Sequence, residues 1–265
     1  MLTTEKRNPK TTHIDKMSTE EMVRVINEEN FRAVRAVSDA GESITRAVDA
    51  VSASINSGGR LFYIGAGTSG RLGVLDASEC PPTYGVPYGL VTGIIAGGER
   101  ALTYASEGAE DSGEAGRRDF LSYAPTSRDA LVGISAAGGA EYVLYAIRAA
   151  KELGCVTVAL TCNEGTKLGQ LADIEIVTDT GEEVITGSTR MKAGTAQKLV
   201  LNTLSTCAMV KAGHVYENLM INLRPSNEKL RRRMIGIVEE LAGVSSEEAE
   251  RRLDASDWVI RKALE

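Results

Sequence analysis

Carboxylates and hydroxyls are the side chains of this sequence best placed to do chemistry. Glu79 stands in Asp76-Ala77-Ser78-Glu79-Cys80-Pro81-Pro82, and Glu107 and Glu110 stand in Glu107-Gly108-Ala109-Glu110-Asp111-Ser112. The small and apolar neighbours of Glu79 predict a desolvated carboxyl with a raised pKa, suited to a general acid. Glu107 and Glu110 are three apart and share a face if their segment is a helical turn. Thr68 and Ser69 follow Gly65-Ala66-Gly67, Ser135 is followed by Ala-Ala-Gly-Gly, and Ser188-Thr189 precede a long helical pattern. Each hydroxyl set falls where a strand is expected to give way to a helix, so hydroxyls and backbone N–H groups could surround a compact phosphate. A sugar phosphate and two carboxylates suit proton transfer beside a carbonyl. Aldose–ketose isomerisation and elimination of a group β to the carbonyl both fit, and composition and spacing leave that choice open.

The glycines invite a different reading. Gly65-Ala66-Gly67-Thr68-Ser69-Gly70 after an apolar run matches the dinucleotide fingerprint. That fingerprint needs an acid ~20 residues on, for the ribose hydroxyls, and 80–96 contains no Asp or Glu. Pro81-Pro82 are expected to stop the following helix early. No nicotinamide or other cofactor is predicted.

Five short apolar runs, 61–64, 90–95, 130–134, 156–160 and 174–177, predict buried parallel strands. Helical patterns at 70–78, 111–121 and 140–153 separate them, which implies an α/β fold with a doubly wound, mainly parallel five-stranded sheet. Ligands of such sheets bind beyond the carboxyl ends of the strands, where the hydroxyls and acids lie. Residues 1–17 are polar and predict an extended arm. Ser18-Thr19-Glu20-Glu21 predicts a capping box, followed by apolar residues at helical spacing (Met22, Val25, Ile26, Phe31, Val34, Val37). A second helix is expected over 42–55. A long helix at 191–212 is apolar on more than one face, which predicts burial against the sheet, a partner subunit or both. Two or three small helices close the chain, one starting near Ser245.

The chain has 265 residues, a formal net charge of -6, four cysteines and two histidines. The acidic balance gives nucleic acid no electrostatic support. No C-x-x-C pair is present, so a Cys/His metal site is not expected. The N-terminus lacks an apolar signal core and no window approaches the ~20 apolar residues of a membrane span. The expectation is a soluble cytoplasmic protein whose cysteines stay reduced, with neither nucleic-acid nor membrane partner.

Segments 4–9 (TEKRNP), 65–83, 97–101 (GGERA), 107–112 and 186–198 (TGSTRMKAGTAQK) resemble the N-acetylmuramic acid 6-phosphate etherases of the sugar isomerase (SIS) superfamily. The glucokinase regulatory protein is a relative of that family. The resemblance spans nearly the whole chain. It implies the SIS fold, with an arm and helices at 1–56, a sugar-phosphate-binding domain at 57–225 and a C-terminal helical module at 226–265. It implies a carbon–oxygen lyase of cell-wall amino sugar recycling. Such an enzyme cleaves the D-lactyl ether by elimination from the open-chain aldehyde and then hydration, giving N-acetylglucosamine 6-phosphate and D-lactate. By motif match, Glu79 is the implied acid/base at the lactate oxygen and Glu110 the implied second catalytic glutamate, at the carbon 2 proton. Gly67, Thr68, Ser69, Glu107, Ser135, Ser188 and Thr189 are the implied contacts to a phosphorylated amino sugar. A homodimer is implied, with the arm and His214 reaching toward a neighbour's site. Two departures stand out. The family's S-G-R-T-P-Y pattern, a common phosphate grip, is here Ala137-Gly138-Gly139-Ala140-Glu141-Tyr142, without its hydroxyl and guanidinium donors and with an added negative charge. The helices from Ser245 to Leu264 resemble the family's terminal module with part deleted. A non-catalytic phosphosugar sensor and a phosphosugar isomerase are the competing readings.

Overall fold

A computed structural model of the protein describes residues 2–225 and 227–265. Three 3-10 turns, Thr3–Glu5, Pro9–Thr11 and Ile14–Lys16, precede helices α1 (Thr19–Asp39) and α2 (Gly41–Asn56). Strands and helices then alternate: β1 (Leu61–Gly65), α3 (Gly67–Tyr84), β2 (Val91–Ile95), α4 (Arg100–Thr103), α5 (Gly113–Leu121), β3 (Ala130–Ile134), α6 (Glu141–Glu152), β4 (Val156–Thr161), α7 (Lys167–Leu171) and β5 (Ile174–Val177). Helix α8 (Lys192–Lys211) and the terminal α9 (Glu228–Ala242), α10 (Ser246–Ala255) and α11 (Ile260–Ala263) complete the chain. The strands form one parallel sheet in the order β2-β1-β3-β4-β5. The expected doubly wound α/β sheet is present, with each of its five strands within a residue of the predicted ends.

Strand side chains alternate between two faces. Leu61, Tyr63, Val132, Ile134, Val158 and Leu160 pack with α2, α3 and α8 on one face. Phe62, Ile64, Leu131 and Ala159 pack with α5, α6 and α7 on the other. The apolar character of α8 is met within the chain, because α8 lies against α1, α2 and α3. Tyr63, Asn202 and Ser205 donate to the buried Asp76 carboxylate at 2.9, 2.6 and 3.1 Å, which fixes α3 against β1 and α8. The C-terminal helices bury a separate cluster that also takes in Ile221 and Leu223, ahead of residue 226.

Several expectations need correction. The prolines do not stop α3, which continues to Tyr84. Each proline forfeits only its own N–H, both lie in the last turn, and left-handed Gly85 closes the helix by donating to the Pro81 carbonyl at 2.9 Å. The N-terminal arm is not extended. Its 3-10 turns are pinned to the body by buried Thr4, Asn8 and Thr11. Ser18 and Glu21 do form the capping box. The buried stripe of α1, however, is Glu29, Ala33 and Ala36, whose short residues allow close approach to α8, while Phe31 is 73% exposed.

Candidate active site

Sequence puts glycine at both sides of a close approach at the end of β1. A methyl group on Gly70 would lie 2.6 Å from the Gly65 carbonyl oxygen, and one on Gly65 would lie 2.7 Å from the Gly70 nitrogen. Gly67 turns the chain with φ +54°, a conformation glycine adopts without a steric penalty. The first turn of α3 is thereby brought down onto the strand end, with its free N–H groups facing outward over the sheet. The glycines of this loop serve helix–strand packing.

Beyond the carboxyl ends of β1 and β3 lies a cleft of about 300 Å³. Gly67, Thr68, Ser69, Ser135, Thr189 and Glu110 line it, so six of the nine sequence-predicted site residues meet in one place. The Ser69 hydroxyl donates to Gln197 Oε1 at 3.0 Å, which orients it from α8. The Ser135 hydroxyl accepts from the Gly138 N–H at 3.1 Å, shaping the turn after β3. A second cleft of about 210 Å³ shares Ala66, Gly67 and Glu110 with the first, and Glu107 and Arg71 line it. Glu107 and Glu110 do face one space, but not from a regular helix. Left-handed Gly108 lies between them and Glu110 sits on a 3-10 turn, Ala109–Asp111.

Two predicted residues lie outside both clefts. Ser188 is next to Thr189 but lines neither. Glu79 is exposed, not desolvated, and lies twelve residues past Gly67 on α3. At 1.5 Å per residue that is about 18 Å along the helix axis from the glycine loop, toward the amino ends of the strands.

The electrostatics of the larger cleft are uneven. No Lys or Arg is among its lining residues, which include two carboxylates, Glu5 and Glu110. Positive potential comes from the N-terminal end of the 18-residue α3. Arg71, in the adjoining cleft, donates to the Leu102 and Tyr104 carbonyls at 3.0 and 3.2 Å. Glu141 is not a lining residue, and its carboxylate lies 3.7 Å from Lys167 Nζ. Among the described residues no group of three or more His, Cys, Asp and Glu could hold a metal ion, and no helix is long and apolar enough to cross a membrane.

Sequence reasoning missed Glu5 and Asn163. Asn163, just past β4, is buried. It accepts from the Thr3 and Thr4 N–H groups and donates to Thr4 Oγ1 and to the Ala136 carbonyl in the cleft wall. Its place after a strand end was the available signal. His214 is turned to Asn222, 3.0 Å from its Nδ1, and lines neither cleft.

Comparison with known proteins fits this geometry. The family model of the glucokinase regulatory protein N-terminal SIS domain matches residues 43–151. The chain is 51% identical to the N-acetylmuramic acid 6-phosphate etherase of Clostridium beijerinckii, over 99% of this chain and 86% of that one. It is 49% identical to the enzyme of that name from Salmonella agona, over 99% and 89%. Among solved structures, a phosphoheptose isomerase from Francisella tularensis shares the fold, with TM-score 0.53 and 20% identity over 72% of this chain and 98% of that one.

Proposed function

Because the chain belongs to the N-acetylmuramic acid 6-phosphate etherase family, we propose that the Gly67–Thr189 cleft binds a 6-phosphorylated amino sugar and cleaves its D-lactyl ether. The products are N-acetylglucosamine 6-phosphate and D-lactate, and water is consumed. The observation that carries this reading is the meeting of Glu110 with Thr68, Ser69, Ser135 and Thr189 in one cleft at the strand ends.

The phosphate is placed over the first turn of α3, where backbone N–H groups and the Thr68 and Ser69 hydroxyls can donate to it. In the open-chain sugar the aldehyde acidifies the carbon 2 proton. Glu110 takes that proton. The electron pair forms the carbon 2–carbon 3 double bond, and the carbon 3–oxygen bond breaks to release lactate, whose oxygen is protonated. Water then adds at carbon 3 and a proton returns to carbon 2. A positioned carboxylate contributes on the order of 10²–10⁴ in rate to such a step.

Glu79, the residue assigned to protonate lactate and activate water, is too far along α3 to serve its own cleft. We place it in the cleft of a second copy. An exposed carboxylate on α3, with Leu75 exposed one turn earlier and Val23, Phe31 and Val34 exposed on α1, supports a homodimer built on this side of the molecule. The cysteines are free, and three of them are buried. Unpaired cysteines support a reducing, cytoplasmic setting. We place the division at 1–56, 57–225 and 226–265, the last segment carrying most of an apolar cluster that also takes in Ile221 and Leu223.

The test is product identity after incubation with N-acetylmuramic acid 6-phosphate. D-lactate together with N-acetylglucosamine 6-phosphate is expected. An isomerised sugar that keeps its lactyl group would move the assignment to an isomerase, and bound but unchanged substrate would move it to a sensor.

A further inference from the structure

The N-terminal arm is polar and starts far from the sheet in sequence, yet it forms part of the cleft wall. Its path is fixed by buried hydrogen bonds. Thr4 is fully buried, Asn163 receives the Thr3 and Thr4 N–H groups at 2.7 and 3.4 Å, and Asn163 also donates to Thr4 Oγ1 at 3.1 Å. Further along, Asn8 donates to the Glu182 carbonyl at 3.2 Å and Thr11 to the Val184 carbonyl at 2.8 Å. Glu5 lies between these anchors. Its side chain is exposed, lines the cleft, and has no hydrogen-bond or ion-pair partner among the described residues. Gly187 faces it, and a methyl group there would stand 3.4 Å from Glu5 Oε2. A carboxylate held on an anchored arm, open to the cleft and matched to no protein donor, is set up to accept from a ligand.

We propose that Glu5 is a specificity-determining residue that accepts a hydrogen bond from the sugar moiety of the substrate. This rests on reading the cleft as a phosphosugar site. An ionised carboxylate can only accept, and an amino sugar offers hydroxyl and acetamido N–H donors whereas a phosphate dianion offers none. The same charge repels phosphate from the arm and favours its placement at the positive end of α3. Glu5 therefore orients the sugar through attraction at one end and repulsion at the other.

The experiment is calorimetric titration of wild type, Glu5→Ala and Glu5→Gln with N-acetylglucosamine 6-phosphate and, separately, with inorganic phosphate. Circular dichroism melts check that the exposed substitutions leave the fold intact. A hydrogen bond to a charged group predicts about 10-fold or greater loss of sugar-phosphate affinity in Glu5→Ala. Glu5→Gln keeps an acceptor oxygen and should lose less. Phosphate affinity should be unchanged or slightly higher in both. Sugar-phosphate affinity equal to wild type in Glu5→Ala, or a parallel loss of phosphate affinity, would overturn the proposal while leaving the etherase reading intact. Failure of wild type itself to bind the sugar phosphate or release D-lactate would overturn both.

Discussion

Lys192 Nζ donates to Glu29 Oε2 at 2.5 Å, and both side chains are fully buried. The pair joins α1 to the first residue of α8. Lys10 Nζ reaches Glu29 Oε1 at 3.0 Å and Asn8 donates to Oε2 at 2.9 Å, so the N-terminal arm closes the same network. Glu183 receives the Lys192 and Ala193 N–H groups at 3.2 and 2.9 Å, capping α8 from the other side. The cleft residues Gly187 and Thr189 lie in the segment strung between these anchors. Removing one partner leaves an uncompensated buried charge, which costs about 3–5 kcal/mol. Glu29→Gln and Lys192→Met should each lose stability on that scale in denaturant unfolding, and should lose activity with it.

The same network sets an acid limit. Burial opposes ionisation of Glu29, but hydrogen bonds from Lys192, Lys10 and Asn8 outweigh it and lower its pKa to about 2. A carboxyl with a folded pKa below its unfolded value adds stability that is complete above about 4.5, the unfolded value. That contribution is lost as pH falls from there toward about 2. Wild type should therefore lose melting temperature steeply over this window. Glu29→Gln, already destabilised at pH 7, should show a shallower acid dependence there. Parallel curves for the two proteins would remove Glu29 from the acid transition.

Gly70 tests the packing of the glycine loop after β1. An added methyl group would meet the Gly65 carbonyl oxygen at 2.6 Å and the Ile95 side chain at 2.7 Å. Overpacking of this kind typically costs about 1–3 kcal/mol. Gly70→Ala should be destabilised by that amount in urea unfolding and should bind inorganic phosphate more weakly, because α3 must move away from β1. Gly98→Ala is a control with no atom to clash with, although its φ of +66° is strained. It should leave phosphate binding unchanged.

Glu79 and Glu110 can be separated by mixing. If each site takes Glu110 from one copy and Glu79 from the other, a mixed dimer of Glu79→Gln and Glu110→Gln chains holds one intact site and one doubly altered site. Each variant alone should be nearly inactive, and random re-association should restore about a quarter of the wild-type rate. Mixtures that stay inactive after verified subunit exchange would exclude a shared site.

Much of the sheet was legible because its strands are short apolar runs with glycine or hydroxyl residues at their ends, and β3 and β5 match their predicted limits. The rule that ligands bind past strand ends points to the turns that carry Thr68, Ser69, Ser135 and Thr189, and these four line one cleft. The surroundings of Glu79 were not legible from its neighbours, because Asp76, Ala77 and Cys80 turn to the buried face of α3 and leave Glu79 exposed on the other. The arm escaped sequence reasoning for another reason. Its fixed path depends on single side-chain hydrogen bonds, such as those of Asn163 and Asn8, between positions more than a hundred residues apart. No periodicity records such contacts. Glu141 shows the converse. Its added charge looked like a threat to phosphate binding, but the side chain pairs with Lys167 outside the cleft.

In the proposed elimination, Glu110 removes the carbon 2 proton before lactate leaves. The most direct measurement runs the reaction on N-acetylmuramic acid 6-phosphate in D₂O and examines carbon 2 of the N-acetylglucosamine 6-phosphate formed. Deuterium at carbon 2 is predicted, because the proton taken by Glu110 exchanges with solvent before one returns to carbon 2. Glu110→Gln should slow both lactate release and deuterium incorporation by about 10²-fold or more. Lactate release at full rate from Glu110→Gln, with the original hydrogen still on carbon 2, would contradict elimination through Glu110.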